Sequence, residues 1–271
     1  MAKKPAGISS NHFLSRLKRK YNEKKAGFSG TLDPFASGVL IVAFGGYTRL
    51  FSYLKKEPKI YKACIWLGAT CDSLDNENIT KVENIKPFND EILMYQINKL
   101  QGEISYIPPK FSAKHINGQR AYELARKGVD FELQKAQMKV FSAKLVHYSH
   151  PFLVVELALS EGAYARSWAA LLARNLNINA TLSALERLSE GDFVYENERS
   201  LNPLNFLKIP QNHYLGEERD FEIGIKLKKE NFKIKENGEY FIKFKEFFSI
   251  IELLDNEVKY KLNGVKYANF D

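Results

Sequence analysis

Asp33 is the residue whose neighbours best prepare it for chemistry. It follows Gly30-Thr31-Leu32 and precedes Pro34, which lacks an amide proton and holds the backbone before it extended. A carboxylate fixed in this way can act as a nucleophile or general base, although aspartate in a Gly/Pro-rich loop also serves as a plain turn residue. Arg166 offers a permanent counter-charge able to hold a carboxylate or a phosphate at two points. An exposed ion pair is its competing use. Tyr61 can stack on a base or fill a core.

Other chemistries lack their motifs. Histidines stand at 12, 115, 147, 150 and 213 without an HExxH or a Cys/His zinc pattern, and Cys64 and Cys71 are the only cysteines. The glycine loop has neither the GxxxxGK[ST] nor the GxGxxG arrangement. These absences favour a reaction that uses no metal and no cofactor.

Loops and short strands must position the candidates. Ser9, Ser10 or Asn11 caps a helix with apolar Phe13, Leu14, Leu17 and Tyr21 at helical spacing. The loop AGFSGTLDPFASG then feeds a strand over Val39 to Phe44, and a helix is expected from about Thr48 to Lys55. A strand over Ile60 to Leu67 puts Tyr61, Ala63, Ile65 and Leu67 on one face. Asn89 caps a helix running to about Leu100, and another helix is expected near Gln119 to Lys127. Strands around Gln137 to His147 and Phe152 to Ser160 precede a helix from Tyr164 to Leu176 that packs Trp168, Leu171, Leu172 and Leu176 inward. From about Pro210 the pattern GIKLKK, FKIK, YFIKFKEFF and VKYKL reads as short strands. Asn237-Gly238, Asp255-Asn256 and Asn263-Gly264 supply the expected turns.

The charge suits a polyanion, and it would attract a membrane surface too. Of the net +8, residues 1 to 25 carry +7 and residues 210 to 271 carry −1, so the basic character belongs to the body of the protein. Lys18, Arg19 and Lys20 at the end of the first helix are the candidate phosphate contacts, though cations there also complement the helix dipole. With two cysteines, no secretory signal and no apolar run of roughly 20 residues, a cytoplasmic protein away from membranes is expected.

Six blocks occur in order: KPAGISSN from Lys4, AGFSGTLDPFASGVL from Ala26, IYKACIWLGATCDSLD from Ile60, IPPKFSAKHINGQRAYELARKG, SEGAYARSWAALLARNL and ALERLSEGDF. Together they resemble the bacterial tRNA pseudouridine-55 synthase family over most of residues 4 to 193. The resemblance implies an α+β fold, with a mixed, largely antiparallel pseudouridine-synthase sheet and packed helices in residues 1–209. A small PUA-like β domain in residues 210–271 would follow. It implies isomerisation of uridine 55 in the T-loop of tRNA; no cofactor, metal or obligate protein partner is expected. The same resemblance makes Asp33 the catalytic aspartate, Tyr61 the base-stacking tyrosine, Arg166 the partner of Asp33 and Leu185 an apolar pocket residue.

Three features depart from the family pattern. Phe28 stands where relatives commonly have histidine, and can wedge into or stack on a loop without making polar contacts. Only Met1-Ala2-Lys3 precede the lysine-proline motif, which leaves either an absent edge strand or an internal start. The C-terminal region lacks the positive charge expected of an RNA-binding module. A non-catalytic tRNA-binding protein would need the basic surface but not the Asp33–Arg166 pair, and a nucleosidase would have to admit water to the cleaved nucleoside.

Overall fold

In the strand Lys59–Leu67 every odd residue is buried, which marks one face of a half-covered sheet. The computed structural model describes residues 1–112, 114–116, 118–255 and 257–267. In chain order the first elements are β1 (Ala2–Lys4), α1 (Ser10–Lys20), β2 (Ala26–Ser29), β3 (Ser37–Phe44), β4 (Lys59–Leu67), β5 (Ala69–Thr70), β6 (Lys81–Val82) and α2 (Asp90–Lys99). Then come β7 (Gly102–Tyr106), β8 (His115–Ile116), β9 (Gln119–Arg120), α3 (Ala121–Arg126), β10 (Ala136–Ser149), β11 (Phe152–Leu159), α4 (Ala165–Asn175), β12 (Ala180–Glu190) and β13 (Phe193–Val194). The last are β14 (Gln211–Asn212), α5 (Glu218–Ile223), β15 (Gly238–Lys243), β16 (Phe247–Leu253) and β17 (Val258–Lys266).

The main sheet runs β1-β3-β12-β4-β11-β10-β7, with β2 beside β3 and β13 beside β12. All its registered pairs are antiparallel except β3 with β12. The fold is thus α+β with a mixed, largely antiparallel sheet and a smaller second sheet, as the sequence implied. Helix α4 buries Trp168 and Leu172 in the core, and its C-cap Leu176 joins them; each leucine is worth roughly 1.5–3 kcal/mol when fully buried. The Trp168 indole N–H donates to the Leu100 carbonyl at 3.0 Å, so its polar edge is satisfied inside that core. Asn89 caps α2 as expected, its side chain accepting from the Glu91 amide at 2.8 Å.

By their contacts the residues form two compact units: Met1–Leu17, Phe28–Ile41 and Lys56–Arg199 in one, and Lys18–Gly27, Val42–Lys55 and Ser200–Asp271 in the other. The second holds the sheet β14-β15-β16-β17 around Phe221, Phe232, Phe247 and Ile251. No helix among the described residues is long and apolar enough to cross a membrane.

Several expectations are corrected. The helix expected from about Thr48 to Lys55 is a 3-10 helix over Gly45–Tyr53, starting earlier and ending sooner. Ala2–Lys4 do form an edge strand, antiparallel to β3, so the element the short start seemed to omit is there. GIKLKK and FKIK form no strand; YFIKFKEFF spans the end of β15, a turn and the start of β16. Asn263-Gly264 lies inside β17, where the register shifts between Phe248 and Ile250. There Gly264 takes φ +62° and absorbs a bulge where a turn was expected. The Asp255-Asn256 turn includes Asn256, outside the described residues.

Strand β12 is the central element that the hydrophobic pattern hides. Its register against β4 shifts between Leu182 and Ala184 and again between Arg187 and Ser189. Each extra residue moves the side-chain alternation by one step. Ala180, Leu182, Leu185, Arg187 and Glu190 therefore stand opposite Leu67, Ile65, Ala63, Tyr61 and Lys59, all on one face.

Candidate active site

Asp33 sits on a loop braced from several sides. Gly30 enters it at φ +62°, a conformation other side chains rarely adopt. The Ser10 hydroxyl donates to the Leu32 carbonyl at 2.9 Å and accepts from the Leu32 amide at 3.0 Å. The Gly7 amide donates to the Pro34 carbonyl at 2.8 Å, and the Ala36 amide turns back to the Asp33 carbonyl at 3.1 Å. Lys4, wholly buried, donates to the carbonyls of Ile8 at 2.7 Å, Pro5 at 2.8 Å and Pro34 at 3.4 Å. Burial pulls the Lys4 pKa down to about 8, while the Asp33 carboxylate acts to raise it.

Arg166, the second residue of α4, reaches Asp33 from the other side. Its Nη2 donates to Oδ1 at 2.9 Å, and its Nε makes an ion-pair contact with Oδ2, also at 2.9 Å. The guanidinium is itself fixed: Nη1 donates to the Ser73 carbonyl at 2.7 Å and Nη2 to the Phe111 carbonyl at 2.8 Å. Asp75 stands 3.9 Å from Nη1 and accepts from the Ser73 hydroxyl and the Glu77 amide. The Arg166 side chain is 2% exposed and that of Asp33 28%, so the arginine is structural floor and the carboxylate remains reachable. Burial pushes the Asp33 pKa up; Arg166 and Lys4 oppose that shift, whereas Asp75 reinforces it.

Asp33 lines a cleft of about 300 Å³ together with Gly30, Tyr61, Tyr164, Leu185 and Arg187, a size at the lower end for small-molecule sites. Burial pushes the Tyr61 pKa up, with the adjacent Arg187 guanidinium opposing. A rigid carboxylate, a tyrosine and a leucine around one small space can hold a planar base beside an ionised oxygen.

The structure thus brings Asp33, Arg166, Tyr61 and Leu185 together. Phe28, in β2, is half-buried and is not among the residues that line the cleft. Lys18, Arg19 and Lys20 form the last turn of α1 and belong by contact to the second compact unit. Sequence reasoning gave no role to Asp75, Lys59, Arg187 or Glu190. Asp75 closes the block IYKACIWLGATCDSLD, and Arg187 and Glu190 lie within ALERLSEGDF. For Asp75, Arg187 and Glu190 the available signal was a place inside the ordered motif blocks, while Lys59 lies just before one.

The largely antiparallel sheet thus holds an arginine-gripped aspartate in a small cleft. The model of the TruB family pseudouridylate synthase N-terminal domain matches residues 18–165. The tRNA pseudouridine synthase B of Campylobacter concisus is 54% identical over 266 residues, covering 98% of this chain and 97% of that protein. Its namesake in Sulfurovum sp. is 49% identical over 262 residues, covering 97% and 95%. Among solved structures, a chain of a Cbf5-Nop10-Gar1 complex matches with a TM-score of 0.63 at 18% identity, covering 99% of this chain and 83% of that one, a likeness of fold. The chain belongs to the TruB family of pseudouridylate synthases.

Proposed function

We propose that this protein isomerises uridine 55 in the T-loop of tRNA to pseudouridine, with Asp33 as the nucleophilic carboxylate. The observation that carries the reading is the two-point contact of Arg166 with Asp33 in a cleft that Tyr61 and Leu185 also line. Family membership supplies the reaction. The bond from N1 to C1′ breaks, the uracil turns, and C5 joins C1′; C5 gives up its proton and N1 gains one, so nothing is added overall. Asp33 acts either by attacking C1′ or by driving elimination through a glycal, and both courses need an ionised, aimed oxygen. A base in a single-stranded loop leaves its stack more cheaply than one in a duplex. Tyr61 holds the extruded base by stacking and assists loss of the C5 proton, with Leu185 on the apolar side. Phe28 props the T-loop open by stacking, and Lys18, Arg19 and Lys20 contact phosphates of the T-arm.

The test compares wild type and Asp33→Asn on tRNA transcribed without modifications, mapping pseudouridine at nucleotide resolution. Conversion at position 55 by the wild type and none by the variant is expected. Wild-type rates in the variant remove Asp33 from the mechanism, and conversion elsewhere removes uridine 55 as the target.

A further inference from the structure

Lys59, Arg187 and Glu190 form a cluster of charges with side chains 8%, 0% and 0% exposed. Glu190 Oε1 lies 3.5 Å from Lys59 Nζ and accepts from the Ser29 hydroxyl at 3.0 Å, while Oε2 lies 3.3 Å from Arg187 Nη2. Taking three charges out of water is costly, and apolar side chains of similar volume often fill such a space at no loss of stability. The cluster therefore calls for a role beyond packing.

Its outward connections supply that role. Arg187 Nη2 donates to the Gly30 carbonyl at 2.8 Å, on the loop that carries Asp33, and Nε donates to the Val39 carbonyl at 2.8 Å beyond that loop. A Cβ built on Gly30 would stand 2.9 Å from Glu190 Oε1 and 3.0 Å from both Arg187 Nη1 and Lys59 Nζ, so the loop rests directly on the cluster. Arg187 also faces Tyr61 across the strands, and Glu190 faces Lys59. Only the bulge between Arg187 and Ser189 lets residues three apart on a strand share that face.

We propose that Lys59, Arg187 and Glu190 are positioning residues: Glu190, partnered by Lys59, fixes the Arg187 guanidinium, which sets the Asp33 loop against the Tyr61 ring. This rests on the pseudouridine-forming role proposed above. The experiment measures tRNA affinity and single-turnover conversion at saturating tRNA separately for Glu190→Gln, Lys59→Met and Lys59→Arg, with wild type and Asp33→Asn alongside. Glu190→Gln and Lys59→Met should lose about 10- to 100-fold in rate with affinity within about threefold, the scale on which small misplacements of reacting groups act. Lys59→Arg, which keeps the charge, should recover most of the rate.

Unchanged rates in correctly folded Glu190→Gln and Lys59→Met, with only a lowered melting temperature, would overturn the proposal. So would equal rates in the two lysine variants, or a defect lying wholly in affinity. Should Glu190→Gln fail to fold, the lysine pair decides alone, because Arg187 still partners Glu190 in both. A wild type that makes no pseudouridine at position 55 counts against the proposed function and is told apart by the wild-type arm.

Discussion

Arg166 meets Asp33 at two points, Nη2 with Oδ1 and Nε with Oδ2, each at 2.9 Å. The arginine is anchored in turn to the carbonyls of Ser73 and Phe111. The carboxylate is thus aimed by a group that is itself unable to swing. A planar fork supplies both the charge and the direction.

Arg166→Lys keeps the charge but cannot keep two contacts with Asp33 together with both carbonyl bonds. The rate at saturating tRNA should fall by about 100-fold while tRNA affinity stays within a few-fold. Single-turnover conversion and equilibrium binding, measured on the same protein, separate the two. Near-normal conversion would show that charge suffices.

Burial raises the Asp33 pKa from its ordinary 3.8, and Arg166 is the largest influence opposing that rise. The reaction needs the ionised form, so the rate should fall with acid at a pH above the usual carboxylate range. In Arg166→Gln the opposing charge is gone, and the acid limb should move to higher pH. A pH–rate profile under single-turnover conditions reads both. A limb that moves down in the variant assigns it to another group.

Gly38 takes φ +117°, and a Cβ built there would lie 2.2 Å from the Arg187 carbonyl oxygen, part of the close approach of β3 to β12. Gly38→Ala should therefore cost about 3 kcal/mol or more, from backbone strain and from the displacement of a central strand. Urea unfolding of the variant against wild type gives the difference. A change below about 1 kcal/mol, the ordinary cost of a point mutation, means the strands part easily.

Replacing Lys18, Arg19 and Lys20 by Gln should weaken tRNA binding and flatten its dependence on salt, with the log–log slope falling by about two to three as those phosphate contacts are lost. Affinity across a salt series is the measurement. An identical slope would put the RNA-binding face elsewhere.

Much of the fold and of the candidate site was legible in the sequence. Asp33 stood out because proline and glycine fix the backbone around it, and the alternation of Tyr61, Ala63, Ile65 and Leu67 announced the buried face of β4. Asn89 marked a helix start through a local hydrogen bond, which depends on neighbours in the chain. The ordered blocks carried the family, since so many residue types in one order are seldom coincidental.

Tertiary structure decided what depends on residues far apart in the chain. Strand β12 could not be read because two bulges break its alternation, and bulges become visible only against the partner strand. Ala2–Lys4 is too short to declare itself and becomes a strand only beside β3. The three-residue step from Arg187 to Glu190 predicts opposite faces on a regular strand, yet the bulge turns them together onto Lys59 and Tyr61. By itself the sequence determined the family and named the residues proposed to carry the chemistry, because residue types and their order are written in it. Which charges are buried together, and what they hold in place, was decided by strand register, a property of paired segments that neither segment encodes alone.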